Sequence, residues 1–380
     1  MSAAAEGQEA GASVVSSAAG QDAMASAVGQ NAVSSAVGQD AVASAAEQAA
    51  ASAAEQDSVA SAAGTTEGIR GIIVTVTPNP AVDLTYTVDG MHPGESHRVA
   101  SPLVRAGGKG INVSRVIHQL GLPTLAITSC GGLGGEQFRQ DLAAAGLAHR
   151  LVQVAAPTRR TIALVDTAAD QTSIFNEAGG ALNTAEWRKL AGAVVDSLDT
   201  AAVLVGSGSL PAGAPADFYP ALVALAHNAG VPAIIDTSGA GIVAAARAGA
   251  DLLKPNLEEL SAALGDPDPV SAARTLIDLG AKMVLVSAGP DGMLAFSAEA
   301  PESYWQAHLV APLRGNPTGA GDAAVAAAAV ALASGVRDPE EILRRATAWS
   351  AAAVLMPAAG ELSPRYAQLA GELIVSRHNG

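Results

Sequence analysis

The chain has 380 residues, 49% of them apolar but only 3% aromatic, so a sizeable core is available and must be built from many small contacts. With 21 Lys and Arg against 36 Asp and Glu, the formal net charge of −15 disfavours nucleic acid and anionic membrane surfaces as partners and makes each local basic position informative. A single cysteine, Cys130, excludes an internal disulfide and any cysteine-rich metal site, which suits a reducing cytoplasm, and seven scattered histidines without a His-x-x-x-His pair disfavour catalytic zinc.

Residues 1–68 contain no Lys, Arg, Phe, Tyr or Trp and repeat themselves, with Gly20-Gln21, Gly29-Gln30, Gly38-Gln39, Glu47-Gln48 and Glu55-Gln56 opening units nine, nine, nine and eight residues apart. Nine residues is 2.5 helical turns, so each repeat swaps faces and no continuous apolar stripe can form. A disordered Ala/Ser/Gly/Gln-rich tail is expected. The basic start and apolar run of a signal peptide, the arginines of a transit peptide and a membrane-length apolar run are all missing, so the expected location is cytoplasmic.

From residue 69 to residue 380 short β-branched runs alternate with helical spacing. The run 71–77 reads as a buried first strand, stopped by Pro78-Asn79-Pro80. Shorter, polar-alternating strands are expected at 84–88 and 97–104, then a helix at 110–120, a strand at 124–129 and a helix at 135–145. A second cluster of short strands follows at 161–165 and 172–175. Helices at 184–198, 215–229 and 239–248 then interleave with strands at 202–205, 232–236 and 251–253. Helices at 256–264 and 269–280, a strand at 283–287, a hairpin over 292–310 and helices at 320–334 and 339–355 close the series. Such alternation predicts an α/β fold, a doubly wound, mostly parallel sheet flanked by helices. The clusters at about 84–104 and 158–178 lack helix partners and are expected to form a small β-strand lid or a dimer surface.

The stretch around which the rest is organised is Gly315-Asn316-Pro317-Thr318-Gly319-Ala320-Gly321-Asp322. It runs into an alanine-rich helix, so Gly319, Ala320 and Gly321 supply unpaired backbone N–H groups where the dipole favours an anion. Asp322 beside such an anion hole has either a chemical task, accepting a proton, or merely complements the dipole. Ala106-Gly107-Gly108-Lys109-Gly110-Ile111-Asn112 is a second glycine turn at a helix start. It misses P-loop spacing, but its glycines let a polyhydroxylated ligand lie close, Asn112 serves hydroxyls and Lys109 suits a phosphate. Asp83, just past the first strand, faces the cleft or simply closes a proline turn.

Arg159 and Arg160 place guanidinium groups at the start of a lid strand, either solvated or phosphate-binding. Gly206-Ser207-Gly208-Ser209-Leu210-Pro211 offers hydroxyls and amides at the cleft without matching a hydrolase nucleophile elbow. In Lys254-Pro255-Asn256-Leu257-Glu258-Glu259, Asn256 and Glu259 share a helix face, where they either cap the helix or hold hydrated Mg²⁺ through water. Ser287-Ala288-Gly289-Pro290-Asp291-Gly292 is a turn against which a nucleotide base can lie.

Taken in order, Thr77-Pro78-Asn79-Pro80 with Asp83, Gly-Gly-Lys-Gly-Ile-Asn, Gly-Ser-Leu-Pro, Asp236-Thr237-Ser238-Gly239, Lys-Pro-Asn-x-x-Glu, Ser-x-Gly-x-x-Gly and Gly-Ala-Gly-Asp resemble the ribokinase-like (PfkB) sugar kinases, hexose-phosphate branch, over about residues 70–375. The resemblance implies a ribokinase-like fold with a strand lid and ATP-dependent phosphorylation of a ketohexose phosphate. Fructose 1-phosphate going to fructose 1,6-bisphosphate is the first choice, with tagatose 6-phosphate and fructose 6-phosphate as other acceptors. It implies Asp322 as base with Gly319, Ala320 and Gly321 as anion hole. Asp83, Gly107, Gly108 and Asn112 would hold the sugar, and Lys109, Arg159 and Ser209 its phosphate. Lys254, Asn256, Ser287, Gly289 and Gly292 would serve ATP, with Asn256 and Glu259 at Mg²⁺ through water. The lid allows a homodimer. A catalytically silent sugar-phosphate binder is the alternative of another class. Arg159-Arg160-Thr161 departs from the Arg-x-Asn of many relatives.

Overall fold

The structure, a computed structural model, describes residues 69–379. The expected disordered tail at 1–68 lies outside the described residues. The chain opens with β1 (Ile72–Thr77), β2 (Ala81–Val88), β3 (Leu103–Gly107), α1 (Lys109–Gln119), β4 (Thr124–Cys130), α2 (Gly132–Ala144) and β5 (His149–Gln153). It continues through β6 (Arg159–Asp166), β7 (Gln171–Asn176), α3 (Thr184–Leu198), β8 (Ala201–Ser207), α4 (Phe218–Asn228), β9 (Ala233–Asp236), α5 (Ala240–Arg247) and β10 (Leu252–Leu253). After α6 (Leu257–Leu264), α7 (Pro269–Asp278), β11 (Met283–Ser287), β12 (Met293–Ser297) and β13 (Ser303–Leu309), it ends with α8 (Ala320–Ala333), α9 (Pro339–Val354), α10 (Tyr366–Glu372) and β14 (Leu373–Asn379).

These elements form a ten-stranded sheet, order β14-β13-β12-β11-β10-β9-β8-β1-β4-β5, and a separate four-stranded sheet, order β3-β2-β6-β7. The large sheet is parallel from β5 to β11 and antiparallel from β11 to β14. Its order reverses at β1, which lies between β4 and β8. A doubly wound sheet opens a crevice at such a switch point, outside the carboxyl ends of the strands. The turns leaving β1, β4 and β8 carry the motifs Pro78-Asn79-Pro80, Cys130-Gly131-Gly132 and Gly208-Ser209, so the topology gathers them at that end.

Buried β-branched residues account for the central strands; in β1, Ile73, Val74 and Val76 are fully buried. Helix α8 behaves as its alanine run predicts, with Ala323 through Ala331 all at 0% exposure. Side chains this small let α9 and α1 pack closely against it, which fixes where its first turn lies. Helix α3 starts at a capping box between Asn183 and Glu186, worth about 1 kcal/mol. Trp349 on α9 meets Tyr366 edge-on at 5.6 Å, and so ties α10 to the body.

Several expectations need correction. The strand expected at 97–104 is instead Leu103–Gly107, because the antiparallel ladder with β2 runs only from Leu103 opposite Thr85 to Gly107 opposite Ala81. Residues 97–102 before it pair with no strand among the described residues, and pairing rather than propensity decides. Helix α2 begins at Gly132, three residues before the start expected at 135. The sequence reading also lacks β5, α10 and β14, two of which are short edge strands with charged or polar residues that break the apolar pattern. Among the described residues no helix is long and apolar enough to cross a membrane.

Candidate active site

The lid supplies one wall of a cleft of about 510 Å³. Register sets Asp83 on β2 opposite Arg105 on β3 and Thr161 on β6, and Thr161 opposite Asn176 on β7. Opposite residues share a face, so this is one polar row across the lid. Asp83 is pushed up to about 6 by burial, against a Thr161 hydrogen bond and the charges of Arg159 and Arg115. A Cβ on Gly107 would lie 1.8 Å from Asp83 Oδ2, and one on Gly108, at φ 108°, would lie 2.9 Å from Thr77 Cγ2. Glycine at 107 leaves Asp83 its position, and glycine at 108 accepts the positive φ and clears Thr77.

The floor is the first turn of α8. Gly319 caps it at φ 85°, and Asp322 is 6% exposed. Asn112 on α1 donates from Nδ2 to Asp322 Oδ2 at 2.8 Å. Burial and the neighbouring Asp236 carboxylate push Asp322 up to about 7, although Lys109, Asn112 and Lys254 pull the other way. Beneath lies a charged cluster centred on Asp236, which is 1% exposed. Its Oδ1 is 3.3 Å from Lys109 Nζ and 3.6 Å from Lys254 Nζ, and its Oδ2 accepts from Ser207 Oγ at 3.0 Å. Burial opposes its charge, but both lysines and Ser207 outweigh it and hold Asp236 below the usual carboxylate range. Burial also works against charge on Lys109, yet Asp236, Glu259 and Asp322 keep it above the usual lysine range.

Arg159 and Ser209 meet at Asn79: Arg159 Nη2 donates to the Asn79 carbonyl at 3.2 Å, and Asn79 Nδ2 donates to Ser209 Oγ at 3.1 Å. A second hollow of about 260 Å³ opens there, lined by Arg159, Asn79 and Gly179 among others. Lys109 does not join them, since its partners are Asp236 and Glu259. Lys254 approaches the first turn of α8, with Nζ 3.3 Å from where a Cβ on Gly321 would stand.

Asn256 and Ser287 pair as an isolated bridge, which brings these two predicted nucleotide residues together. Gly289, at φ 58°, has open space above it, whereas Gly292, at φ 86°, backs onto the Ala307 carbonyl. Asn256 and Glu259 form a capping box, Glu259 N donating to Asn256 Oδ1 at 2.7 Å and Asn256 N to Glu259 Oε2 at 3.1 Å. Among the described residues no three His, Cys, Asp or Glu side chains converge as a metal cage. Sequence reasoning gave no role to Asp236, Thr161, Arg105 or Asn176; strand register, which sequence does not display, is what puts the last three beside Asp83.

The pfkB family carbohydrate kinase pattern matches residues 76–365, most of the chain. The chain belongs to the pfkB family of carbohydrate kinases. As such it is an ATP-dependent kinase, and its large sheet with a strand lid is the ribokinase-like fold. This pfkB kinase is 35% identical over 269 residues to the ATP-dependent 6-phosphofructokinase isozyme 2 of Mycobacterium tuberculosis, covering 69% of the chain and 78% of the relative. It is 35% identical over 289 residues to the 1-phosphofructokinase of Xanthomonas campestris, covering 73% and 89%. The phosphofructokinase-2 of Escherichia coli in complex with fructose-6-phosphate superposes with a TM-score of 0.71 at 33% identity, over 80% of this chain and 99% of that one.

Proposed function

We propose that this pfkB kinase transfers the γ-phosphoryl group of ATP to a hydroxyl of a ketohexose phosphate, with fructose 1-phosphate as the first acceptor and fructose 1,6-bisphosphate as the product. The chain acts as an ATP-dependent sugar-phosphate kinase. The observation that carries the reading is Asp322, a buried carboxylate raised to about 7 at the mouth of an anion hole, tied through Asn112 to the cleft that Asp83 faces. A base of that strength is matched to neutral pH. Support for a fructose phosphate comes from the equal identity to a 1-phosphofructokinase and a 6-phosphofructokinase.

In this reading Asp83 and Asn112 orient the sugar, and Asp322 takes the proton of the attacking hydroxyl. The amides of Gly319, Ala320 and Gly321 receive charge from the phosphoryl in flight, with Lys109 and Lys254 close by. Arg159 and Ser209 hold the phosphate already on the acceptor. Phosphoryl transfer asks mostly for positioning and neutralisation, which is what this arrangement offers. Lys254, Asn256, Ser287, Gly289 and Gly292 serve the nucleotide. The donor set fits Mg²⁺ carried by the phosphates and touched by Asn256 and Glu259 through water, since both side chains already bond backbone and no protein cage exists among the described residues. When bound, that cation would neutralise phosphate oxygens. The exposed Phe175 on β7 favours a homodimer through the lid, which light scattering would read as a doubled mass.

The test is ADP production with Mg-ATP on fructose 1-phosphate, fructose 6-phosphate, tagatose 6-phosphate and fructose, across pH. The expected profile of kcat/KM rises about tenfold per pH unit up to about pH 7 and then levels, because Asp322 in the free enzyme is protonated and idle below that value. No turnover with any phosphorylated ketose, alongside a rise in melting temperature with one of them, would replace this reading with the silent binder.

A further inference from the structure

The cleft has a second wall, the loop between α9 and α10, which brings Ala358 and Ala359 to its lining. This loop is fixed to the catalytic floor at several points. Ala359 Cα lies 2.8 Å from where a Cβ on Gly319 would be, and Gly360 packs on Asn112 and Arg115, leaving 3.3 Å and 2.9 Å to a Cβ built there. Gln119 clamps Leu362 through two hydrogen bonds, to its carbonyl at 2.7 Å and from its N–H at 2.9 Å, and Asn316 donates to the Pro357 carbonyl at 3.0 Å. The loop therefore moves with the anion hole and with the Asn112–Asp322 pair.

The lid wall is held differently. Ala106 at the base of β3 is pinned, its N–H to Asp141 at 2.8 Å and its carbonyl to Arg115 at 3.3 Å. Going back along β3 from that pin, the lid begins at Arg105, the residue opposite Asp83. Arg105 Nη2 reaches Glu361 Oε1 at 2.5 Å, with the side chains 28% and 22% exposed. Glu361 lies between Gly360 and Leu362, both anchored as above. The ion pair thus joins the lid, in register with Asp83, to the loop packed on the floor.

We propose that Arg105 and Glu361 form a latch that sets the distance between the lid's sugar-holding Asp83 and the Asn112–Asp322 pair. Both are positioning residues: their effect on the reaction passes through the separation of the two walls. The inference rests on the acceptor reading above. Partly exposed ion pairs add little to global stability, so loss of this one is expected to show in alignment rather than in melting temperature. Misplacing a reacting group by about 1 Å can cost about a hundredfold in rate, so even a modest opening of the lid is visible kinetically.

The experiment compares wild type, Arg105→Gln, Glu361→Gln, Glu361→Asp and the reversed pair Arg105→Glu with Glu361→Arg. Melting temperatures are taken first, to keep only folded variants. Each glutamine variant is expected to raise the acceptor KM and lower kcat, for a fall of about tenfold or more in kcat/KM, while the KM for ATP stays within about twofold. Glu361→Asp, one methylene shorter, falls between, and should any glutamine variant not fold it carries the same test. The reversed pair recovers most of the loss. Unchanged acceptor kinetics in Glu361→Gln or Glu361→Asp would overturn the latch. So would failure of the reversed pair to recover when Arg105→Gln is impaired, since Arg105 would then be touching the acceptor itself. The wild-type rate on the sugar panel tests the acceptor reading separately, and coupling between the two positions tests the latch.

Discussion

Asp322→Asn is expected to lose about 10²–10⁴-fold in kcat while still binding both substrates, and to melt at a higher temperature than the wild type at pH 8. The first half follows from chemistry: a positioned general base contributes about 10²–10⁴-fold, and the amide has no proton affinity to replace it. Asn112 keeps an oxygen to donate to, so the cleft retains its shape. The second half follows from linkage. Asp322 is raised in the fold to about 7 from an ordinary 3.8, so the folded chain holds the proton that the unfolded chain releases. Its contribution to stability is fully present below pH 3.8 and is lost as pH rises through 7. At pH 8 the wild type bears the cost of a buried charge facing Asp236, on the order of a few kcal/mol, and the amide does not. The two melting curves should converge near pH 4 and separate with rising pH. A variant that turns over at the wild-type rate would remove Asp322 from the mechanism, whereas equal melting temperatures at pH 8 would say that its carboxylate is solvated.

The alternation of β-branched runs and helical spacing made the doubly wound sheet readable, because a parallel strand buried on both faces leaves an unbroken β-branched run such as 72–77. Helix α8 was readable for the same kind of reason, its composition having no polar face to present. Strands β5 and β14 were not, since an edge strand with His149, Arg150, Arg377 and His378 owes its state to the neighbour it pairs with. At the candidate site, Gly108 and Gly319 were legible because a positive φ demands glycine there, and Asp322 stood out as a carboxylate beside them. Asp236 was visible only as part of a motif. Its task depends on Lys109, Lys254 and Ser207 arriving from three other elements, 127, 18 and 29 residues away in sequence. The Asn256–Glu259 pair shows how one pattern supports two readings: the capping box is present, and it occupies the side-chain oxygens that the cation reading also called on.

Asp236→Ala should be the most destabilising single change in the site. The carboxylate is fully buried and has two ammonium groups on one oxygen and the Ser207 hydroxyl on the other. Lys109 keeps Glu259 at 3.4 Å, but Lys254, with a side chain 4% exposed, has no other ion-pair partner among the described residues. Breaking a buried pair by removing one partner costs about 3–5 kcal/mol, because the remaining charge stays desolvated. For a chain of this size that lowers the melting temperature by on the order of ten degrees. The variant also alters chemistry in a direction that simple loosening would not give. Asp236 is the carboxylate that repels the charge on Asp322, and the two lysines it restrains are then free to attract it. Asp322 should therefore ionise more easily, and the acid limb of the rate profile should move below the wild-type position near pH 7. A folded Asp236→Ala protein with an unshifted acid limb would mean that Asp236 only supports the fold. A melting temperature equal to the wild type would mean that Lys254 gives up its proton or turns to solvent, and that the buried cluster is not the foundation of the site.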